Sequence, residues 1–147
     1  MATGTHFTGP IYSVNGFNPG TGSTEAITAT KTLVAEDNGK TFILSAAAGV
    51  TVTLPALTAG MQFKFVVGLA FATTNWVIDS AEGDNINGFI IVDDAAIVAS
   101  GEDQINFVAS AETIGDYCTL IADTTNSQWI VHGHGEATGA MTVTDPS

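Results

Sequence analysis

His132-Gly133-His134 places two imidazoles at alternate positions. Alternate residues of a β-strand face the same side, so both rings could reach one metal ion. Zinc normally takes about three or four protein ligands, and Glu136 is the nearest further donor, so the spacing describes only part of a site. The densest run of oxygen donors is Asp79, Glu82, Asp84 and Asn85. Calcium takes roughly six to eight oxygens, and this run lacks the spacing and terminal glutamate of a calcium loop. Asp93-Asp94 and Glu102-Asp103 read as further acidic turns, whose charges discourage sideways pairing of sheet edges. His6 has no assignable partner. Cys118 lies in Asp116-Tyr117-Cys118-Thr119-Leu120-Ile121, a strand-like run, and reads as a small buried hydrophobe. A lone cysteine builds neither an intrachain disulfide nor a multi-cysteine metal site.

Nucleophile and phosphate motifs are missing as well. No serine sits in a Gly-x-Ser-x-Gly elbow, and no glycine-rich phosphate loop carries a lysine. Carboxylates are plentiful but stand among turn residues, where burial cannot tune them, and none is placed across a cleft as acid and base. A chain without arginine also lacks the usual clamp for a phosphorylated cofactor. Trp76 and Trp129 could stack on a sugar, although Trp129 reads better as a plug of the core. We therefore expect no catalytic residue, no metal, no cofactor and no enzyme activity.

The composition points away from chemistry and towards contact. Against 15 acidic residues stand only Lys31, Lys40 and Lys64, for a net charge of −12 across 147 residues. Hydrophobic residues still make up 45%, and the mean hydropathy is +0.29, which is too apolar for disorder. Three lysines cannot neutralise a nucleic-acid backbone against that background, so neither DNA nor RNA is an expected partner. No stretch approaches the ~18 uninterrupted apolar residues of a membrane span. The opening residues show neither the basic region nor the apolar run of a signal peptide, so the product is expected to remain in the cytoplasm that makes it, unless it leaves upon a larger particle. A surface of Thr, Ala, Gly, Ser and Asn is cheap to desolvate and suits broad contacts with protein.

The elements that would carry such contacts are strands. Residues 1–24 are rich in Gly, Thr, Ser, Asn and Pro, with Phe7, Ile11, Tyr12, Val14 and Phe17 spaced through them. They cannot form a core, and they read as an extended N-terminal arm with apolar anchors, able to reach ~80 Å when stretched. Residues 25–147 read as the body. Residues 27–34 form a Thr-rich strand, and Glu36-Asp37-Asn38-Gly39-Lys40 a turn. Thr41-Phe42-Ile43-Leu44 follows, then Val50, Val52 and Leu54 alternating with threonines until Pro55. Met61, Phe63, Phe65 and Val67 form one face of the next strand. Further strands are expected at residues 76–78, 89–92, 97–98, 104–108, 117–122, 128–132 and 141–143. The helix signal is thin. The pattern specifies an all-β fold, a jelly-roll-like β-sandwich with Greek-key connections, and Phe63, Phe65, Leu120 and Trp129 in its core.

Three segments carry a family resemblance. They are Thr41-Phe42-Ile43-Leu44-Ser45-Ala46-Ala47-Ala48-Gly49-Val50-Thr51-Val52-Thr53-Leu54-Pro55, then Gly60-Met61-Gln62-Phe63-Lys64-Phe65-Val66-Val67, and last Ile114-Gly115-Asp116-Tyr117-Cys118-Thr119-Leu120 with the run from Asn126 to Gly133. They resemble small structural proteins of tailed bacteriophages, among them the capsid decoration, or cement, proteins. The resemblance implies a jelly-roll-like homotrimer on the outer surface of an icosahedral head, made in the host cytoplasm, bridging neighbouring subunits of the major capsid protein. Phe7, Ile11, Tyr12 and Phe17 would then be the capsid-contact residues. The family has no catalytic motif, so no catalytic residue carries over. A glycan- or receptor-binding β-domain of a tail fibre or baseplate is the main alternative, and a secreted carbohydrate module a third.

Overall fold

The structure, a computed structural model, describes residues 23–80 and 85–146. The first half holds β1 (Thr24–Ile27), β2 (Lys31–Thr32), β3 (Thr41–Leu44), β4 (Thr51–Thr53), β5 (Gln62–Val67) and β6 (Trp76–Asp79). The second half holds β7 (Asn85–Val92), β8 (Ala95–Glu102), β9 (Gln104–Phe107), β10 (Tyr117–Asp123), β11 (Gln128–Gly135) and β12 (Met141–Thr144). Alternation decides their faces, as β5 illustrates. Phe63, Phe65 and Val67 are buried while Gln62 and Lys64 are exposed. A single 3-10 turn at Ala35–Asp37 is the helical structure among the described residues. Residues 46–48 and 109–113 form no helix.

Two mixed sheets pack into a sandwich. The larger has seven strands in the order β1-β3-β5-β10-β11-β7-β8, and the smaller five in the order β12-β9-β6-β4-β2. From β1 to β6 the chain alternates between them, and the ladders β1·β3, β3·β5, β2·β4 and β4·β6 are all parallel. The first half therefore winds as three flattened coils. Hairpins take over afterwards, at β7·β8 and β10·β11.

This winding differs from the jelly-roll-like order expected from the sequence, because a jelly roll is assembled from antiparallel strands. Period-2 alternation tells which side chains turn inward but says nothing about the direction of the neighbouring strand. The stretch 27–34, expected as one strand, shows the same limit. Ile27 closes β1 in the large sheet, residues 28–30 cross the edge of the sandwich, and Lys31 opens β2 in the small one.

Both sheets supply the core. Phe42 stacks on Phe65 with ring centroids 5.4 Å apart, and Phe63 bridges Phe42 and Trp129 at 6.3 and 5.8 Å. Trp76, Ile78, Ile105 and Phe107 face them from the small sheet, fully buried. Phe63, Phe65, Leu120 and Trp129 are all core residues, as the alternation predicts. The β7–β8 hairpin turns on Asp93 and Asp94, both with positive φ (49° and 61°), the backbone shape of a tight two-residue turn that Asp tolerates well. Gly88 is fixed by its surroundings: its φ is +132°, and a Cβ there would fall on the carbonyl oxygen of Val131 in the neighbouring strand.

Candidate functional site

The residues most able to do chemistry are distributed by the sandwich into separate structural jobs. His132 and His134 do share one side of β11, as their spacing predicts. His132 is exposed and lies against Phe89, with ring centroids 4.9 Å apart. Glu136 is exposed, and its backbone N–H donates to Asp116 Oδ1 at 2.9 Å. Among the described residues, no group of three or more His, Cys, Asp or Glu side chains is placed to hold a metal ion. Asp79 accepts from Gln104 Nε2 at 2.7 Å, whereas Glu82 and Asp84 lie outside the described residues. Asp93 accepts from the Thr138 hydroxyl. The Asp103 N–H donates to the Thr144 carbonyl at 3.1 Å.

Burial settles three other candidates. Cys118 is completely enclosed, and desolvation pushes its thiol up well above the ordinary value, so it stays protonated and unreactive. Trp129 fills the core as expected. Trp76 does so too, which removes both rings from sugar stacking. Asp116 is 3% exposed and pins two loops, accepting from Thr113 N–H at 2.7 Å and Glu136 N–H at 2.9 Å. A hollow of about 440 Å³ is lined by Ala47, Ala70, Phe71, Ala72, Ser110 and Glu112. Its lining carries the Ser110 hydroxyl and the Glu112 carboxylate, of which Oε1 accepts from Phe71 N–H at 2.7 Å while Oε2 is buried without a protein partner.

Two of the three lysines are committed to one ion cluster at the open edge of the sandwich. Lys40 Nζ donates to Asp37 Oδ1 at 2.6 Å and to Glu25 Oε2 at 3.0 Å, while Lys31 pairs with Glu25 and lies 3.6 Å from Asp37. The cluster ties β1 to β2 across the sheets. Burial alone would raise the Asp37 pKa, but the Lys40 hydrogen bond, the Val34 N–H and the charge of Lys31 outweigh it and hold the carboxyl below its ordinary value. Glu25 is lowered chiefly by its hydrogen bonds from Lys31 and Lys40. A carboxyl with a depressed folded-state pKa stabilises the fold above its unfolded value and loses that contribution as pH falls through the folded one. Urea midpoints should accordingly hold steady near neutrality and fall below about pH 4, and Asp37→Asn should flatten that acid limb. An unchanged limb in Asp37→Asn would show that the cluster does not set acid stability. Sequence reading missed this cluster because its members meet only once β1, β2 and the 3-10 turn converge; only the Asp37–Lys40 spacing was visible beforehand.

The two outer faces differ in chemistry. On the small sheet, Thr142, Asn106, Val77 and Thr51 align in register, and Thr144, Gln104, Asp79 and Thr53 beside them. Within these rows Asn106 Nδ2 donates to Thr144 Oγ1 at 3.0 Å and Gln104 Nε2 to Asp79 Oδ1 at 2.7 Å. Across the large sheet one row runs Val98, Phe89, His132, Thr119, Lys64 and Thr41. A second runs Ala96, Ile91, His134, Tyr117, Val66 and Ile43. A third brings Asn87, Ile130, Ile121 and Gln62 together. Lys64 Nζ lies 4.8 Å from the centroid of the Tyr117 ring. Of the seven large apolar side chains exposed among the described residues, Phe89, Val98, Tyr117 and Ile121 belong to this face. Its one strand carboxylate is Asp123 at the rim, engaged by Asn126 and Gln128 at 2.7 and 3.0 Å.

No family model, curated protein or solved structure matches this chain.

The expected contact residues Phe7, Ile11, Tyr12 and Phe17 lie outside the described residues. What the structure gives is their point of attachment. Residue 23 leads into β1, the outermost strand of the large sheet, and the Thr41 N–H donates to the Ser23 carbonyl at 2.8 Å.

Proposed function

We propose that the chain is a structural virion protein that binds the outer surface of a tailed-bacteriophage capsid and bridges neighbouring major capsid subunits, acting as a homotrimer. The observation that carries this reading is where the N-terminal segment joins the body. Residues 1–22 contain no Asp, Glu, Lys or Arg, and they join at an edge strand with no partner on its far side among the described residues. A segment attached there can leave the sandwich without disturbing its core. Its spaced aromatics suit grooves on a neighbour, because a few such side chains commonly dominate an interface. The resemblance of the three sequence segments quoted above to small structural proteins of tailed bacteriophages adds to this reading. The acidic balance suits the exterior of a head rather than its DNA-facing side.

The test is co-sedimentation with empty shells assembled from the major capsid protein of the phage that carries this chain. Saturable binding at a fixed copy number per shell is expected; no binding overturns the capsid role. The fibre or baseplate alternative gains nothing from the tryptophans, which are both in the core.

A further inference from the structure

The outer face of the large sheet carries a feature that the proposed function does not use. In a chain of net charge −12, copies meeting by most of their surface bring carboxylates together. This face brings none within its three central rows, and it adds the ammonium of Lys64 and the rings of Phe89, His132, His134 and Tyr117. We propose that it is the surface through which one copy of the chain packs against a second copy. The proposal rests on the self-association assumed above and names its contact surface.

Size and charge both favour this occupant. Seven strands at ~4.8 Å spacing and about seven residues at ~3.3 Å give a patch of roughly 700 Å². That is close to the ~800 Å² per partner of a stable protein pair. Within it, Val98 is 66% exposed, Phe89 45% and Ile121 43%. Such side chains gain most from being covered, and no ammonium or carboxylate at the centre has to be dried without a partner except Lys64, which already leans on Tyr117. The small sheet offers the opposite case: its outer rows are polar, with Asn106 bonded to Thr144 and Gln104 to Asp79, a carboxylate that a partner would have to dry. Self-repulsion of the acidic loops elsewhere then selects this face over the others.

Sedimentation equilibrium of the full chain at micromolar concentration tests the proposal, with Ile121→Asp, Val98→Asp and, on the opposite face, Thr142→Asp. All three positions are on the surface, and unchanged circular dichroism and urea midpoints establish that each variant is folded. The intact chain and Thr142→Asp should self-associate, whereas Ile121→Asp and Val98→Asp should weaken association by about 30-fold or more, because each brings an unpaired carboxylate into the contact. A monomeric intact chain overturns the proposal, and so does association that survives both face variants. Association lost only on deleting residues 1–20 would overturn it in favour of that segment as the contact. Shell co-sedimentation of the same proteins separates the two readings. If the intact chain is monomeric yet binds shells, and Ile121→Asp does not, this face belongs to the capsid and the second copy is excluded. If shells are not bound while the face variants still dissociate the oligomer, the capsid role falls and the contact surface stands.

Discussion

Phe65→Ala should lower the unfolding free energy by ~3–5 kcal/mol, one of the largest losses available in the body. Phe65 is fully buried near the middle of the large sheet. Its ring stacks on Phe42 at 5.4 Å, and its backbone stands in register with Cys118 on one side and Phe42 on the other. Alanine would remove the apolar area and leave a cavity whose walls are strands held in ladders on both sides, so collapse around the gap is restricted. Urea unfolding with an unchanged slope measures the loss. Phe89→Ala is the matched comparison, since that ring is 45% exposed. Its effect on stability should be small, within about 1 kcal/mol. A loss below ~1 kcal/mol at Phe65 would contradict its place in the core.

Deleting residues 1–20 should leave the body folded, with nearly the same melting temperature, while shell binding falls by an order of magnitude or more. Among the described residues the core runs from Ile27 to Met141, and the first described strand begins at Thr24. Truncation before Ser23 therefore removes none of the observed ladder bonds. An arm ordered at binding gives up conformational entropy only then, and its aromatics must more than offset that loss. Tyr12→Ala and Phe17→Ala in the same co-sedimentation assay should each account for a large share of the drop. Equal binding by intact and truncated chains would reduce residues 1–20 to a tail. Failure of the truncated chain to fold would assign Phe7, Ile11, Tyr12 and Phe17 to the body's own core.

Strand positions and core residues were legible in the sequence because alternation is a local signal. Val52 and Leu54, and Met61 through Val67, announced their buried faces within windows of a few residues. The strand expected at residues 117–122 was legible too, from its length and apolar content, and it stands as Tyr117–Asp123 in the middle of the large sheet. Strand partnership was not. Whether β3 runs parallel to β5 depends on where the chain crosses between sheets, and the crossing residues 45–50 are small side chains compatible with several paths. The outer face of the large sheet was equally hidden. Val98, Phe89, His132 and Lys64 come from four different strands, and only the registers align them. The histidine pair was read correctly as sharing a side, but its neighbours proved to be Phe89 and Tyr117 in place of further metal donors.

The coiled path of the first six strands also has a mechanical meaning. A load arriving through residues before Ser23 would enter the body at β1, which is held by four register pairs to β3. Behind it stand β2, with two pairs to β4, and the charged clasp of Glu25 with Lys31 and Lys40. Tension would thus strip the sandwich one coil at a time from its open edge, and the clasp would be the first fastening to feel it. The hairpins β7–β8 and β10–β11 sit on the far side of β5, sheltered from that load until the earlier coils have yielded. A protein attached by its first residues to a shell that swells or shakes would yield first at the small β1–β2 edge, leaving Trp129 and Leu120 undisturbed within the sheltered strands.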